Sequence, residues 1–535
     1  HAYYEKVKMI YIDPPYNTGE DFIYNDCFVD SIENYKEQTN QTQKSNPDTS
    51  GRFHTDWLNM MYPRLLLARN LLSDTGIIMI NMDEHEVANL EKLCDEVFGD
   101  NNNLGTIIWD KRNPKGDAKG ISCQHEYILC YAKSKSILTD THKIQRPKKN
   151  ANTILKKAAA LYSKKSNSYS LEMINNDFND WIKKQTDFSG GERAYNKIDD
   201  NGNVYRPVSM AWPNKKKAPD DYFIPLIHPI TGKTCPVPDR GWRNPPETMK
   251  TMLEEGRILF GKDETTIPNS KYLLSDNMYE NIPSMLYYGG SDTELLKQMG
   301  IPFLTPKVVD VCEEHINSFT TDVDIILDFF SGSATTAHAI MSLNSKDHKN
   351  RKFILVQLPE LTAEDSQERK LGFTDICDMG RERIKRAGEM IVSSSPDANI
   401  DSLDIGFKVF SLDSTNINPW DNTNEYDENT IYNSASVFKL DRTKEDILYE
   451  IMLKYGVFDQ PVSEVVVNGK NMYRVGQRHM IVCLEESIDS SDIEEICKLS
   501  PRVVVFKEDG FKDDNAKINA EYNLKNAGVE DVKCI

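Results

Sequence analysis

The sequence predicts an α/β protein built on a mostly parallel sheet. Three observations predict it. Short apolar, β-rich runs alternate with stretches of helical apolar spacing up to about residue 139. The same rhythm resumes from about 301 to 398 after a long irregular stretch. Two strand runs end in an acid followed by stiff or small residues: Asp13-Pro14-Pro15-Tyr16, and Asp328-Phe329-Phe330-Ser331-Gly332-Ser333-Ala334. In open α/β sheets, ligands sit beyond strand ends of this kind.

The elements follow in order. VKMIYI (7–12) reads as a buried strand. Residues 56–72 have helical spacing interrupted by Pro63. SDTG (73–76) signals a turn, and IIMINM (77–82) a second buried strand. Residues 84–99 form a helix with acids in its first turn and Gly99 at its end. TIIWD (106–110) and EYILCYAK (126–133) are further strands. From 140 to 300 Lys, Asn, Asp and Pro dominate, and the segment reads as an inserted domain. Then come a helix at 307–319, a strand at 324–330, a small-residue turn opening a helix at 331–343, a strand at 352–358 and a charged helix at 380–391. Residues 399–535 form an acidic third region.

At 535 residues the chain exceeds one core, and two to four domains are expected. The hydrophobic share of 39% and mean hydropathy of −0.56 fit a soluble globular chain. No run of 18 apolar residues and no secretory signal is present, so no membrane association is expected. The strongest motif lies close to His1, which reads as a missing N-terminal lead. The ten cysteines form no CxxC pair, as expected for reduced thiols of a cytoplasmic protein without a zinc framework. The ten histidines show no metal spacing either.

The net charge of −19 excludes a uniformly basic nucleic-acid binder. Charge is uneven, however. Between Lys111 and Lys165 fourteen Lys and Arg face three acids. Such a field grips phosphate, although a solvated surface is the plainer explanation of a charge run.

The two strand ends carry the chemistry. Small residues from Gly332 onward let a ligand approach the backbone where a helix opens. No GxGxxG is present, so a single nucleoside with a charged tail fits better than a dinucleotide. At the other end two prolines remove two N–H donors and leave carbonyls beside the Asp13 carboxylate. Those acceptors suit an exocyclic amine, and the flat Tyr16 ring suits a flipped-out base. The bland alternatives are a packing turn and a proline-terminated strand.

The chain resembles S-adenosylmethionine-dependent DNA amino-methyltransferases. Asp13-Pro14-Pro15-Tyr16 resembles their catalytic motif, and Asp328 to Ala334 their cofactor motif. The catalytic motif comes first, then a long insert, then the cofactor motif, which is similar to the β group. YIDPPYNTG, LNMMYPRL, GWR, TPK, FFSGSATTAHA and KFILVQLPE together resemble the Mod subunit of type III restriction-modification systems over residues 7–391, and VFKEDGFKDDNAKINA extends the likeness into the tail.

The resemblance implies a Rossmann-like methyltransferase fold with circularly permuted motif order. Residues 1–139 and 301–398 would form its two segments, 140–300 a target recognition domain and 399–535 a C-terminal domain. It implies N6 methylation of adenine in double-stranded DNA, a homodimer and a restriction (Res) partner. Asp13 and the Pro14 carbonyl would accept from the adenine amine, with Pro15 stiffening the motif and Tyr16 stacking. Asp at position 13 favours adenine over cytosine. Asp328, Phe329, Phe330, Gly332, Ser333, Ala334, Thr335, Thr305, Lys307 and Gln357 would hold the cofactor.

Ala334 departs from the usual glycine, which a negative φ would tolerate. Gln357 stands where an acid is common, with Glu360 as a fallback. Lys111, Arg112, Arg240 and Arg243 are DNA-contact candidates. Asp83 and Glu84 either line the site or cap a helix. The rival readings are a solitary methyltransferase and a DNA-binding relative that has lost catalysis.

Overall fold

The computed structural model describes residues 2–18, 52–112, 121–186, 188–303, 305–394, 403–418 and 437–535. Gly19, Lys115 and Lys119 of the sequence motifs lie outside them. The chain divides into two compact units. One comprises Met9–Met60 and Thr75–Leu403, the other His1–Lys8, Met61–Asp74 and Asp404–Ile535.

The larger unit is organised by a seven-stranded sheet. The elements up to residue 394 that the site draws on are β1 (Val7–Ile12), α1 (Arg52–Leu71), β2 (Leu72–Met82), α2 (Val87–Phe98), β3 (Asn103–Asp110), β4 (His125–Ala132), β5 (Met285–Tyr287), α3 (Val309–Phe319), β6 (Ile325–Asp328), α4 (Thr335–Asp347), β7 (Lys352–Leu355) and α5 (Ile376–Ser394), of which the first residues of β1 and β2 and the latter part of α1 fall in the smaller unit. The strand order is β5-β3-β4-β2-β1-β6-β7, so β1 and β6 are neighbours. Met9, Tyr11, Met79, Ile128, Trp109, Ile316 and Ile340 are buried together in its core.

The sheet is mixed. β5 is parallel to β3, and β6 to β7, but β4 is antiparallel to both β2 and β3. No crossover helix lies among the described residues between β3 and β4, and a parallel pair would need one. β5 falls within the stretch read from sequence as the insert, yet it extends the main sheet at its edge. α1 runs through Pro63, and β2 already begins at Leu72, where SDTG signalled a turn.

The segment from about 140 to 284 has cores of its own. The helices Ala151–Tyr162 and Leu171–Lys184 bury Ile154, Phe178 and Ile182 with Tyr195. A four-stranded antiparallel sheet and a cluster around Trp242 follow.

In the smaller unit, β8 (Val462–Val467), β9 (Lys470–Val475), β10 (Met480–Cys483), β11 (Val503–Phe506) and β12 (Asp531–Cys534) pair in chain order. The first pairs are antiparallel and the last two parallel. The helices Ser490–Leu499 and Asp514–Asn526 supply the two crossovers, packing Ile493, Ile496 and Leu524 on Val504 and Phe506. No helix among the described residues is long and apolar enough to cross a membrane.

Candidate active site

β1 ends at Ile12, and the motif turns away from the sheet there. Its backbone is held from several sides. Trp57, fully buried on α1, donates its indole Nε1–H to the Pro15 carbonyl at 2.8 Å. Asn81 of β2 donates to the Ile12 carbonyl at 3.1 Å. Asn17 is buried in the left-handed region, φ +59°. Its amide donates to Glu86 at 2.6 Å, and this buried carboxylate also bonds His54 at 2.7 Å and Asn89 at 2.8 Å. The motif is thus a fixed platform rather than a free loop.

On that platform Asp13 and Tyr16 meet two partners distant in sequence, Glu126 on β4 and Lys307 in the segment before α3. The Tyr16 hydroxyl lies 2.9 Å from Asp13 Oδ1 and 3.1 Å from Glu126 Oε2. Lys307 donates to Glu126 at 2.7 Å, lies 3.2 Å from Asp13 and donates to the Tyr16 hydroxyl. Its ammonium is 4.9 Å from the Tyr16 ring centroid. Lys111 closes the set on the other Glu126 oxygen. Two carboxylates and two ammonium groups therefore balance.

Burial pushes the Glu126 carboxyl up, but Lys307 and Lys111 more than reverse this and hold it at about 2. Burial likewise opposes the Lys307 charge, and Asp13 and Glu126 overcome it, raising its pKa. The Asp13 pKa is raised, chiefly by burial and opposed by Lys307.

The second strand end lies at neighbouring β6. Asp328 is buried and accepts from the Thr336 hydroxyl at 2.6 Å and the Phe330 N–H at 3.1 Å. Burial lifts its pKa to about 7, and the charge of Asp13 adds to the rise. The two acids are thus close enough to feel one another. Gly332 (φ +47°) donates its N–H to Gln357 Oε1 at 2.8 Å. Ala334 has φ +61°, so the negative φ that would make its methyl harmless is not adopted. Left-handed backbone costs an L-residue about 1–2 kcal/mol.

Arg383 on α5 supports this turn. Its fully buried guanidinium donates to the Ser333 and Thr335 hydroxyls, each at 2.7 Å, on either side of Ala334. A Cβ on Gly380 would sit 3.4 Å from the Gly332 carbonyl, so α5 lies in van der Waals reach of the turn.

The sequence candidates therefore fall into groups. Asp13, Pro14, Pro15 and Tyr16 form one cluster, and Lys307 joins it instead of the cofactor turn. Lys111 is drawn inward by Glu126 rather than left as a surface contact. Asp328, Phe329, Phe330, Gly332, Ser333, Ala334, Thr335 and Gln357 form the second cluster, where the Gln357 carbonyl oxygen is engaged by the turn itself. Thr305 is exposed. Asp83 bonds His85 and caps no helix: the residue before α2 is Glu86. Arg112, Arg240 and Arg243 are exposed, with Arg112 5.6 Å from the Tyr287 ring and Arg240 donating to the Asn214 carbonyl at 3.1 Å.

Glu126, Glu86, Trp57 and Arg383 escaped the sequence reading. Only Glu126 carried a signal, as an acid opening an apolar strand.

The profile of the family described as DNA methylase matches residues 7–368. The type III restriction-modification enzyme EcoP15I Mod subunit of Escherichia coli is 33% identical over 77% of this chain and 62% of its own length. The StyLTI Mod subunit of Salmonella typhimurium strain LT2 is 31% identical over 76% of this chain and 57% of its own. The EcoPI Mod subunit of Escherichia phage P1 is 31% identical over 76% and 62%. The chain thus spans about three fifths of the length of these curated relatives.

Proposed function

The chain belongs to the DNA methylase family, and from that premise we propose that it methylates N6 of a flipped-out adenine in double-stranded DNA. We propose S-adenosylmethionine as the donor and a type III modification subunit as the role. The observation that carries this reading is the juxtaposition of Asp13 and Asp328 at the ends of neighbouring strands, one among hydrogen-bond acceptors and the other in a small-residue turn.

The residues present fit the donor. Asp328 is buried, and its hydrogen-bond donors among the described residues are the neutral Thr336 and Phe330 groups. An acid so placed suits a cationic ligand. Gly332 and Ala334 keep the turn slim where a nucleoside would lie. S-adenosylmethionine, when bound, supplies a methyl group on a sulfonium sulfur.

The chain's own residues do the rest. Asp13 and the Pro14 carbonyl accept the two amine N–H groups and draw the nitrogen lone pair out of ring conjugation. Tyr16 presents a ring for stacking. Asp13 would take the proton that the nitrogen sheds once methylated. No covalent nucleophile is needed, and the rate gain comes from positioning and preorganised charge.

The insert would read the DNA sequence through exposed arginines such as Arg240 and Arg243. A homodimer, a Res partner and a cytoplasmic setting complete the reading. The five-stranded C-terminal sheet is proposed as the part that serves assembly.

The test is incubation with tritiated S-adenosylmethionine and mixed-sequence DNA beside Asp13→Ala, followed by digestion to nucleosides. Label in N6-methyladenine that is lost in the variant is expected. Cofactor binding without label in the wild-type chain would overturn the reading. Gel filtration with and without a Res subunit checks the assembly.

A further inference from the structure

We propose that Lys307, steered by Glu126, is a positioning residue that keeps Asp13 an ionised hydrogen-bond acceptor within the pocket. The inference rests on the transferase reading above.

The groups facing Asp13 come from every side. Tyr16 lies on its own loop, Lys307 on the segment before α3 and Glu126 on β4. Lys111, at the end of β3, stands behind Glu126, and Asp328 ends β6. Among the described residues Lys307 is the cation that touches Asp13, at 3.2 Å. The charge of Glu126 pushes Asp13 toward protonation. Burial pushes the same way.

A protonated Asp13 would offer an O–H where the amine needs an acceptor. Lys307 is therefore the group that decides which form the pocket presents. A lone lysine would be a poor choice, since its flexible stem leaves the charge undirected. Glu126 removes that freedom by accepting from the ammonium at 2.7 Å, and Lys111 offsets the charge Glu126 brings. The Lys307 side chain is 15% exposed and that of Glu126 14%, so water screens the pair little.

The pH profile of methyl transfer separates this role from a merely structural one. The full chain, Lys307→Met, Lys307→Arg and Glu126→Gln would be assayed on adenine-containing DNA from pH 5 to 9, with S-adenosylmethionine binding measured by calorimetry. In Lys307→Met the acid limb of kcat/KM should move up by about 1–3 pH units, and activity should return on the alkaline side. Lys307→Arg should keep the limb in place. Glu126→Gln releases the Lys307 ammonium from its guide and should move the limb up, by less than Lys307→Met because it also removes a like charge from Asp13.

An unmoved limb in Lys307→Met overturns the proposal. So does loss of cofactor binding in that variant, which would place Lys307 on the donor's carboxylate. A wild-type chain that transfers no methyl group removes the transferase reading, and this inference with it.

Discussion

Arg383 Nη1 donates to the Ser333 hydroxyl at 2.7 Å from a fully buried position on α5. The same nitrogen reaches Thr335, so the guanidinium clamps both sides of left-handed Ala334. The turn departs from glycine because something else holds its shape. Arg383→Met should weaken S-adenosylmethionine binding by at least about tenfold, the equivalent of one charged hydrogen bond. Adding Ala334→Gly should recover part of that loss, since glycine meets no left-handed penalty. Calorimetry on the two single variants and the double variant checks this. Strict additivity would show that clamp and strain are unrelated.

Gln357, just beyond the end of β7, anchors the same turn by accepting from the Gly332 N–H at 2.8 Å. Gln357→Ala removes one neutral hydrogen bond, worth about 1 kcal/mol. Cofactor affinity should fall by roughly fivefold, and Gln357→Glu should restore it, because a carboxylate also accepts. If Gln357 instead served only the donor's ribose, the apo protein would melt unchanged in Gln357→Ala. A thermal melt without ligand separates the two.

The fold was legible wherever local pattern decides it. VKMIYI is β1 because buried parallel-type strands read as continuous apolar runs. The direction of β4 was not legible, since strand direction depends on the connection and not on the strand's own residues. At the site, Asp13 to Tyr16 and Asp328 to Ala334 are contiguous, and each stood out as a local oddity. Glu126, Lys307 and Arg383 act across separations of 110, 291 and 50 residues, which no window of sequence displays. Lys307 was noticed, but its contacts with Asp13, Tyr16 and Glu126 were not. Its motif fixed its identity, while only the fold reveals that Glu126 lies opposite. Ala334 was legible as a substitution, yet its φ was not.

Glu86 organises the support of the catalytic platform. Its carboxylate is fully buried and bonds Asn17, His54 and Asn89. Glu86→Ala should destabilise the protein by more than about 2 kcal/mol, because buried donors lose a charged acceptor. Glu86→Gln keeps one acceptor and should recover about half. Methyl transfer should fall further than cofactor affinity in both, since Asn17 adjoins Tyr16. Urea unfolding with a paired rate and binding measurement checks the split. Equal loss of both would make Glu86 a general fold residue.

Asp328 makes stability depend on pH in an unusual direction. Burial, partly offset by Thr336 and the Phe330 N–H, lifts its pKa to about 7. The unfolded chain would titrate it near 3.9. Between about pH 4 and 7 the folded protein therefore holds a proton that the unfolded chain has released. Folding becomes less favourable as pH rises through that window, and the penalty is fully present above 7. Asp328→Asn does not titrate. At pH 5 it should melt at or below the wild type, because it loses an accepting oxygen. At pH 8.5 the comparison should shift in its favour by on the order of 1–4 kcal/mol. Thermal melts of both proteins at the two pH values test this. A wild-type-minus-variant difference that stays flat would mean Asp328 is already ionised at pH 5, its burial outweighed by the two hydrogen bonds it accepts.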